Sequence, residues 1–332
     1  MKKPRPSLSS GRLRLALSAL LAVAIGATVG WLADKPEPEP VPPRFTASLP
    51  QRPAPKVVPE PPRPVPPSAE APAAPEPQRP ALVPPASSPP PREPAPWKRY
   101  AVAAPALNGR IPIAIVIDDV GLDQPRSRRA MELPPAVTLS LLPYGSAIDR
   151  QAETARANGH ELLVHVSMEA DSRAVSPGPN ALTVDLGPDE IARRLDWALT
   201  RFSGYVGFNN HMGSRFTSRE AGMRVVLQEA RRRGLLFLDS KTAPETVGVR
   251  LAGEYGVPFA ARDVFLDNDA SIDAVRKQLA ALETIARRDR GAIAIGHPHD
   301  GTLAALEAWI PTLESRGFVL VPVTALVKAP NG

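Results

Sequence analysis

The sequence predicts an α/β fold, in which helices alternate with parallel strands as a βα barrel or an open α/β sheet. Short apolar runs recur from Ile111 onward, and amphipathic helical patterns separate them. The runs are apolar throughout, which is typical of parallel strands that are buried on both faces. Roughly 220 residues follow Asn108, which is enough for one such domain with a sizeable core.

The apolar runs and helical patterns locate the elements of this fold. Pro188 occupies the first turn of one expected helix. Thr217 and Glu220 have the spacing of a capping box, and Gly234 is expected to end the helix that they begin. Candidate strands are 111–117, 137–142, 161–166, 205–209, 235–238, 258–261, 291–295 and 318–322. Candidate helices are 146–158, 188–202, 218–233, 271–290 and 302–316.

The N-terminus predicts export. A basic tail, 1–14, precedes an uncharged run, 15–33, whose nineteen residues reach about 28 Å as a helix, close to the thickness of a bilayer core. The flanking positive charge indicates that the tail stays in the cytoplasm. We therefore expect a single-pass inner-membrane anchor with a periplasmic C-terminal domain. A cleaved signal peptide, which would release the domain to the periplasm, is the alternative.

Residues 34–107 are predicted to be a disordered, proline-rich linker that precedes a folded domain at 108–332. Of the 42 prolines, 25 lie between Pro36 and Pro96, where Phe45 is the single aromatic residue. Such a segment buries too little apolar surface to offset its chain entropy. A plain tether is one interpretation of it, and a binding segment for an envelope protein partner is another.

The charge distribution argues against nucleic-acid binding. Residues 1–99 carry 14 Lys and Arg against 7 Asp and Glu, whereas 100–332 carry 26 against 27. The folded part is therefore close to neutral, and a nucleic-acid domain would normally concentrate positive charge on itself. The chain has no cysteine, so no disulfide framework is expected.

Polar residues that suit metal-assisted hydrolysis follow the predicted strands at one end. Functional residues of parallel βα folds collect at the carboxyl ends of strands. One carboxylate and two imidazoles form a common open zinc shell, and a metal lowers the pKa of the water it holds to roughly 7. Helix caps, buried structural histidines and turn chemistry are the alternatives for the individual residues. The residues at these strand ends are Asp118, Asp119, His165, Glu169, Asn209, Asn210, His211, Asp239 and His297.

These residues resemble the motifs of a divergent polysaccharide deacetylase, a distant relative of the NodB-type carbohydrate esterases, over about 111–328. The resemblance implies a distorted (β/α)7–8 barrel. It implies that Asp118 is the general base and Asp119 a metal ligand, and that His165, in a Gly-His-Glu…His stretch from Gly159, is the first metal histidine. His297 is similar to the general acid of the family, and Asp239 to the carboxylate that supports that acid.

The sequence departs from the wider family at two places. Glu169 stands where a second metal histidine is expected, and Asn209–Ser214 replaces a motif whose arginine orients the base. We therefore expect His211 to be the third metal ligand and Glu169 a supporting group or alternative ligand. Asn210 and Asn180, the latter in the long segment 171–187, are interpreted as substrate contacts.

The resemblance implies a zinc-dependent hydrolase that removes N-acetyl groups from amino sugars of a cell-envelope polysaccharide, such as a peptidoglycan-like glycan. Two alternatives stay open at this point. The missing arginine motif is compatible with a non-catalytic glycan- or partner-binding protein on the same scaffold. The same metal chemistry also suits an amidase that acts on another amide bond.

Overall fold

The computed structural model describes residues 93–172 and 174–329. The predicted anchor and most of the predicted linker lie outside these residues. Within the described part, no helix is both long enough and apolar enough to cross a membrane. The folded part already includes the end of the predicted linker, since Trp97, Tyr100 and Ala101 pack against buried strand residues and the amide of Val102 donates to Glu161.

The central sheet contains nine parallel strands. Eight of them follow the order β6-β5-β4-β3-β2-β1-β8-β7, and β9 pairs with the first residues of β1. The strands are β1 (Ile111–Val120), β2 (Thr138–Leu141), β3 (Leu162–Met168), β4 (Gly207–Met212), β5 (Leu236–Asp239), β6 (Phe259–Ala261), β7 (Val264–Phe265), β8 (Ala292–Gly296) and β9 (Phe318–Leu320).

The sheet curls into a half-barrel whose two edges are joined by a short connection. β6 and β7 stand at opposite ends of the strand order, although only Arg262 and Asp263 separate them in the chain. The amide of Arg262 donates to Asp239, and the amide of Asp263 donates to Ile293. No strand pairing joins β6 to β7 in the described residues, so the expected distorted barrel is an open half-barrel.

Helices follow most of the strands, and those that come after β1 cover the outer face of the sheet. They are α1 (Pro96–Arg99), α2 (Gln124–Ala130), α3 (Ile148–Ala157), α4 (Pro188–Leu199), α5 (Glu220–Arg233), α6 (Gly248–Tyr255), α7 (Ile272–Asp289) and α8 (Asp300–Trp309). Short 3₁₀ turns at Ile310–Thr312, Glu314–Arg316 and Val323–Leu326 complete the chain.

All eight predicted strands and all five predicted helices form, with shifted ends. The two-residue strand β7 and the helices α1, α2 and α6 were not predicted, because each is too short to show a clear period. The predicted capping box is wrong: α5 begins after Arg219, and the Thr217 hydroxyl donates to the carbonyl of Gly213 instead. Gly234 ends α5 as expected, with a φ of 65°.

Two buried clusters lie on the two faces of the sheet. The larger one packs the outer face against the helices and includes Phe208 and Phe237. The smaller one lies on the inner face and includes Val116, Leu163 and Ile295. The residues next to these in each strand point to the other face, and most of them belong to the larger cluster. Because side chains alternate between the faces of a strand, the residues two positions after Val116, Leu163 and Ile295 also point to the inner face. The polar site begins at these residues.

Candidate active site

The inner face changes from apolar to polar at the carboxyl ends of the strands. Two residues after the inner-face core positions of β1, β3 and β8 come Asp118, His165 and His297. Asn209 and His211 occupy the same face of β4, because Asn209 pairs with His165 in the register of β3 and β4. The alternation of strand side chains therefore brings these five residues together, as the strand-end interpretation predicts.

A bulge at the end of β1 turns two adjacent carboxylates toward the same site. Successive strand residues normally point to opposite faces. The register between β1 and β2 shifts between Ile117 and Val120, and Asp119 has a φ of 55°. A left-handed conformation is costly for a residue with a Cβ, by about 1–3 kcal/mol, and is typical of functional sites. The bulge explains how Asp118 and Asp119 both contact His165.

Asp119, His165 and His211 form a cluster that fits a metal ion. Oδ1 of Asp119 lies 2.9 Å from Nδ1 of His211 and 3.3 Å from Nε2 of His165, and these two nitrogens are 3.3 Å apart. Oδ1 of Asp119 is buried and has no hydrogen bond of acceptable geometry in the described part of the chain. Three converging donor atoms, one of them an orphaned carboxylate oxygen, are the arrangement that a bound cation would satisfy.

The charges of this cluster are mutually dependent. Burial opposes ionisation of Asp119, but its contacts with His165 and His211 outweigh burial and hold the pKa of Asp119 well below its usual range. Burial likewise opposes protonation of His165, yet Asp118 and Asp119 raise the pKa of this imidazole. The cluster therefore carries a firmly ionised carboxylate, the form that binds metals.

Asn209 is the centre of the hydrogen-bond network beneath the cluster. Its Nδ2 donates to both oxygens of Asp118, at 2.9 and 3.0 Å, and its side chain is fully buried. Its Oδ1 accepts from the Ser140 hydroxyl at 2.6 Å and faces Nδ1 of His165 at 2.9 Å. An amide oxygen only accepts, so Nδ1 of His165 carries a proton, and in the neutral ring Nε2 is the nitrogen whose lone pair faces the cluster.

Asp118 and His297 flank the cluster. Burial raises the pKa of Asp118, while His165, His297 and the Asn209 amide limit that rise. Nε2 of His297 lies 3.9 Å from Oδ2 of Asp119. The two residues therefore stand beside the same three candidate ligand atoms.

The carboxylate that supports His297 is Asp267, which follows β7. Oδ1 of Asp267 lies 3.0 Å from Nδ1 of His297, and its Oδ2 accepts from the His297 amide and from the hydroxyl of Thr302. Burial alone would lower the pKa of His297, but Asp267, Asp119 and Asp118 raise it to about 9. The Asp267 contact therefore favours the protonated form of His297 at neutral pH.

The interpretation of Asp239 as that supporting carboxylate needs correction. Asp239 is fully buried, and it accepts hydrogen bonds from the amide of Lys241 and the hydroxyl of Thr246. The inner-face residues of β5 are Leu236 and Leu238, so Asp239 has the opposite parity and points toward α6. Its contacts indicate that it holds the loop after β5.

Asn210 is corrected for the same reason. Its side chain is 1% exposed, which leaves no surface for a substrate. Its amide donates to the carbonyl of Met212 and to Thr242, and its oxygen accepts from the amide of Ser240. Asn210 thus joins the ends of β4 and β5 from the outer face.

Glu169 lies apart from the metal cluster and organises the loop after β3. Its Oε2 accepts from the amide of Val184 at 2.8 Å, and its Oε1 lies 3.5 Å from Nε of Arg215. These contacts correct its interpretation as an alternative metal ligand. Asn180 stands in the same loop with a φ of 54°, a conformation that Asn tolerates well. Its substrate contact stays a prediction.

Tyr144, in the connection after β2, lies near enough to Asp119 for its hydroxyl to be affected by that charge. Burial and the charge of Asp119 raise the pKa of this hydroxyl, and Ser167 partly offsets the rise. Gly178 of the loop lies against the Tyr144 ring, so closely that a Cβ at Gly178 would fall 2.8 Å from Cζ. Because Gly178 has a φ of 94°, the loop reaches this ring only with glycine there.

Two residues of the site, Asp267 and Tyr144, were missed in the sequence, and a third was given no role. Asn209 was listed among the strand-end residues with turn chemistry as the alternative, although its even spacing from Gly207 places it on the inner face. Asp267 follows Val264–Leu266, a short apolar run that ends in a carboxylate just as β1 does. Tyr144 follows Leu142-Pro143 at a strand end, and it was missed because it belongs to no motif that we recognised in the sequence.

The fold and the site define a class: a parallel α/β half-barrel with an Asp-His-His cluster, flanked by an aspartate and an Asp-His pair, at the carboxyl ends of its strands. Residues 115–327 match the divergent polysaccharide deacetylase family, and the chain belongs to that family.

Individual relatives support this membership. The chain is 35% identical to the uncharacterized protein YibQ of Escherichia coli strain K12, over 70% of this chain and 71% of YibQ. It is 31% identical to an uncharacterized protein of Haemophilus influenzae, over 60% and 71% of the two chains. The crystal structure of the uncharacterized protein ATU2773 from Agrobacterium tumefaciens C58 is similar, with a TM-score of 0.68 and 30% identity over 70% of this chain and 95% of that chain.

Proposed function

We propose that this protein is a zinc-dependent hydrolase that removes N-acetyl groups from amino sugars of a cell-envelope polysaccharide. The observation that carries the proposal is the convergence of Asp119, His165 and His211 on one point between Asp118 and the Asp267–His297 pair. Such a site combines a metal centre with a separate base and acid. Amide hydrolysis needs all three, because water must lose a proton and the leaving amine must gain one.

The donor set is the chemical argument for zinc. One carboxylate and two imidazoles match the ligands of open catalytic zinc sites. Bound zinc would supply a Lewis acid that acidifies the attacking water and polarises the acyl carbonyl. His165 meets the requirements of a ligand especially well, because Asn209 holds its tautomer and its ring is only 2% exposed.

The remaining residues perform the proton transfers. Asp118 takes the proton of the attacking water, and the Asn209 amide orients its two carboxylate oxygens in place of the missing arginine. His297 delivers its proton to the departing nitrogen, and Asp267 stabilises the imidazolium until then. The Tyr144 hydroxyl, whose raised pKa keeps it protonated, donates a hydrogen bond to an oxygen of the substrate.

The family name supports a glycan as the substrate. We include in the proposal the N-terminal anchor at 15–33, which would hold this domain in the periplasm beside the cell wall. The long loop that packs Gly178 on Tyr144 would form one wall of the cleft. An envelope protein partner on the proline-rich linker is compatible with this location.

Release of acetate and free amine tests the proposal. The purified full-length chain is stripped of metal, reloaded with zinc and incubated with N-acetylglucosamine oligomers, peptidoglycan fragments and an N-acetylated peptide. We expect equal amounts of acetate and new amine from a glycan, and His297→Gln should abolish both. Release from the peptide alone would favour the amidase alternative. Glycan binding without any acetate release would favour the non-catalytic alternative.

A further inference from the structure

A second cluster of metal-binding side chains lies beside the first one. Asp267, His297 and His299 each offer a ligand atom, and these atoms lie within 4.8 Å of one another. The rings of His297 and His299 are 5.8 Å apart and tilted by 42°. The Asp267 carboxylate is buried and the His299 side chain is exposed, so the cluster opens to solvent. A carboxylate with two imidazoles is again a zinc donor set.

We propose that Asp267, His297 and His299 form a second, weaker zinc site, and that zinc bound there inhibits the enzyme by capturing His297. Zinc would replace the proton between Nδ1 of His297 and Oδ1 of Asp267, which are 3.0 Å apart, and that proton would be released to solvent. Oδ2 of Asp267 already accepts from the His297 amide and Thr302, which keeps the carboxylate oriented for this role.

The affinity of this site should be lower than that of the first. His299 is exposed, so binding must order a side chain that lies largely in solvent. The first cluster has a buried histidine and an orphaned carboxylate oxygen that are already in place. Preorganised ligands bind metals more tightly than ligands that must be ordered.

Occupancy of the second site removes the proposed general acid. Histidine binds metals through a neutral ring nitrogen, so a ring that gives its lone pair to zinc cannot carry the two protons of the imidazolium. The zinc site itself is independent of the proposed function, whereas the inhibition rests on that function. His299 takes no part in the proton transfers assigned above. Substitution of His299 therefore tests the second site without removing a residue of the proposed mechanism.

Zinc titration of the metal-free full-length chain tests the site itself. We expect two equivalents to bind the wild type, one tightly and one weakly. His299→Ala and His299→Gln should keep the tight equivalent and weaken the other by at least about tenfold, since even loss of an outer partner costs about 10–100-fold. Asp300→Asn is the control, because Asp300 is the adjacent exposed carboxylate and lies outside the cluster. A single equivalent in the wild type, or an unchanged second affinity in both His299 variants, overturns the site.

The inhibition is measured by acetate release at increasing zinc. Excess zinc should inhibit the wild type and Asp300→Asn, while His299→Ala should keep its basal activity and resist inhibition. Equal inhibition of the wild type and His299→Ala would overturn the capture of His297. If the wild type releases no acetate from any substrate, the proposed function fails, and the titration still decides whether the second site exists.

Discussion

Nδ2 of Asn209 donates to both carboxylate oxygens of Asp118, at 2.9 and 3.0 Å, and thereby orients the carboxylate proposed as the base. The same side chain accepts from Nδ1 of His165 through its oxygen. One buried amide therefore orients the proposed base and sets the tautomer of a proposed metal ligand. In the proposed mechanism this contact replaces the arginine motif that the resemblance implies and this sequence lacks.

Asn209→Asp should disable the base while preserving the shape of the side chain. A second carboxylate beside Asp118 disfavours ionisation of both, so the pKa of Asp118 rises further. We expect kcat/KM to fall by about 10²-fold or more, with the acidic limb of the pH profile moved to higher pH. Asn210→Asp is the matched control, which should cost about 1–3 kcal/mol of stability but leave that limb in place. A wild-type pH profile for Asn209→Asp would contradict the role of Asn209.

Asp267→Asn should change the basic limb of the pH profile. His297 has a pKa of about 9, raised above its ordinary value, so its acid form persists through neutral pH and is lost as pH rises through 9. Without the Asp267 charge the pKa falls, and the basic limb should move down by at least about one pH unit. Asp239→Asn removes another buried carboxylate that does not contact His297, so its basic limb should stay unchanged. Equal shifts in both variants would show that Asp267 has no specific role.

Tyr144→Phe should lower turnover without loss of metal. The variant removes only the hydroxyl, and loss of one donor to a developing charge costs about 10²–10³ in kcat in well-studied enzymes. We expect at least a tenfold loss in kcat with unchanged zinc content and melting temperature. Tyr205→Phe is the control, because the Tyr205 hydroxyl donates to the carbonyl of Leu199 and not to the site. Full activity of Tyr144→Phe would remove this residue from the mechanism.

Gly178→Ala should disturb the loop that lies on Tyr144. The added Cβ would fall 2.8 Å from the ring, and the φ of 94° is unfavourable for alanine. The loop must then move away from Tyr144, so we expect KM to rise several-fold while the zinc content stays constant. Gly187→Ala is a control at the other end of the same loop, where an added Cβ meets no atom within 4 Å. Identical kinetics for the two variants would argue against a wall formed by this loop.

Much of the fold was predictable because continuous apolar runs are typical of parallel strands that are buried on both faces. Asp118, Asp119, His165, His211 and His297 were predictable as a group, because strand ends share one edge of the sheet. Asp239 and Asn210 were misassigned because proximity to a strand end does not decide which face a side chain occupies. The period of two, counted from Leu236 or Gly207, would have corrected both.

The remaining features depend on geometry that local sequence does not carry. Asp267 reaches His297 only because the two-residue strand β7 pairs with β8, at the far edge of the sheet from β6. The Asp119 side chain points toward His165 and His211 only because a bulge and a positive φ turn it away from the outer face, where strand alternation would place it. Long-range strand pairing and irregular backbone decide these positions.

The zinc content of two neighbouring variants tests the central assignment most directly. Full-length wild type, Asp118→Asn and Asp119→Asn are loaded with zinc and dialysed against metal-free buffer, and the metal is counted per folded chain. We predict about one retained zinc in the wild type and in Asp118→Asn, and almost none in Asp119→Asn. The reason is that Oδ1 of Asp119 contacts the ring nitrogens of both His165 and His211 and completes the proposed ligand set. A folded wild type that retains no zinc, or an Asp119→Asn variant that retains as much as the wild type, would contradict the account.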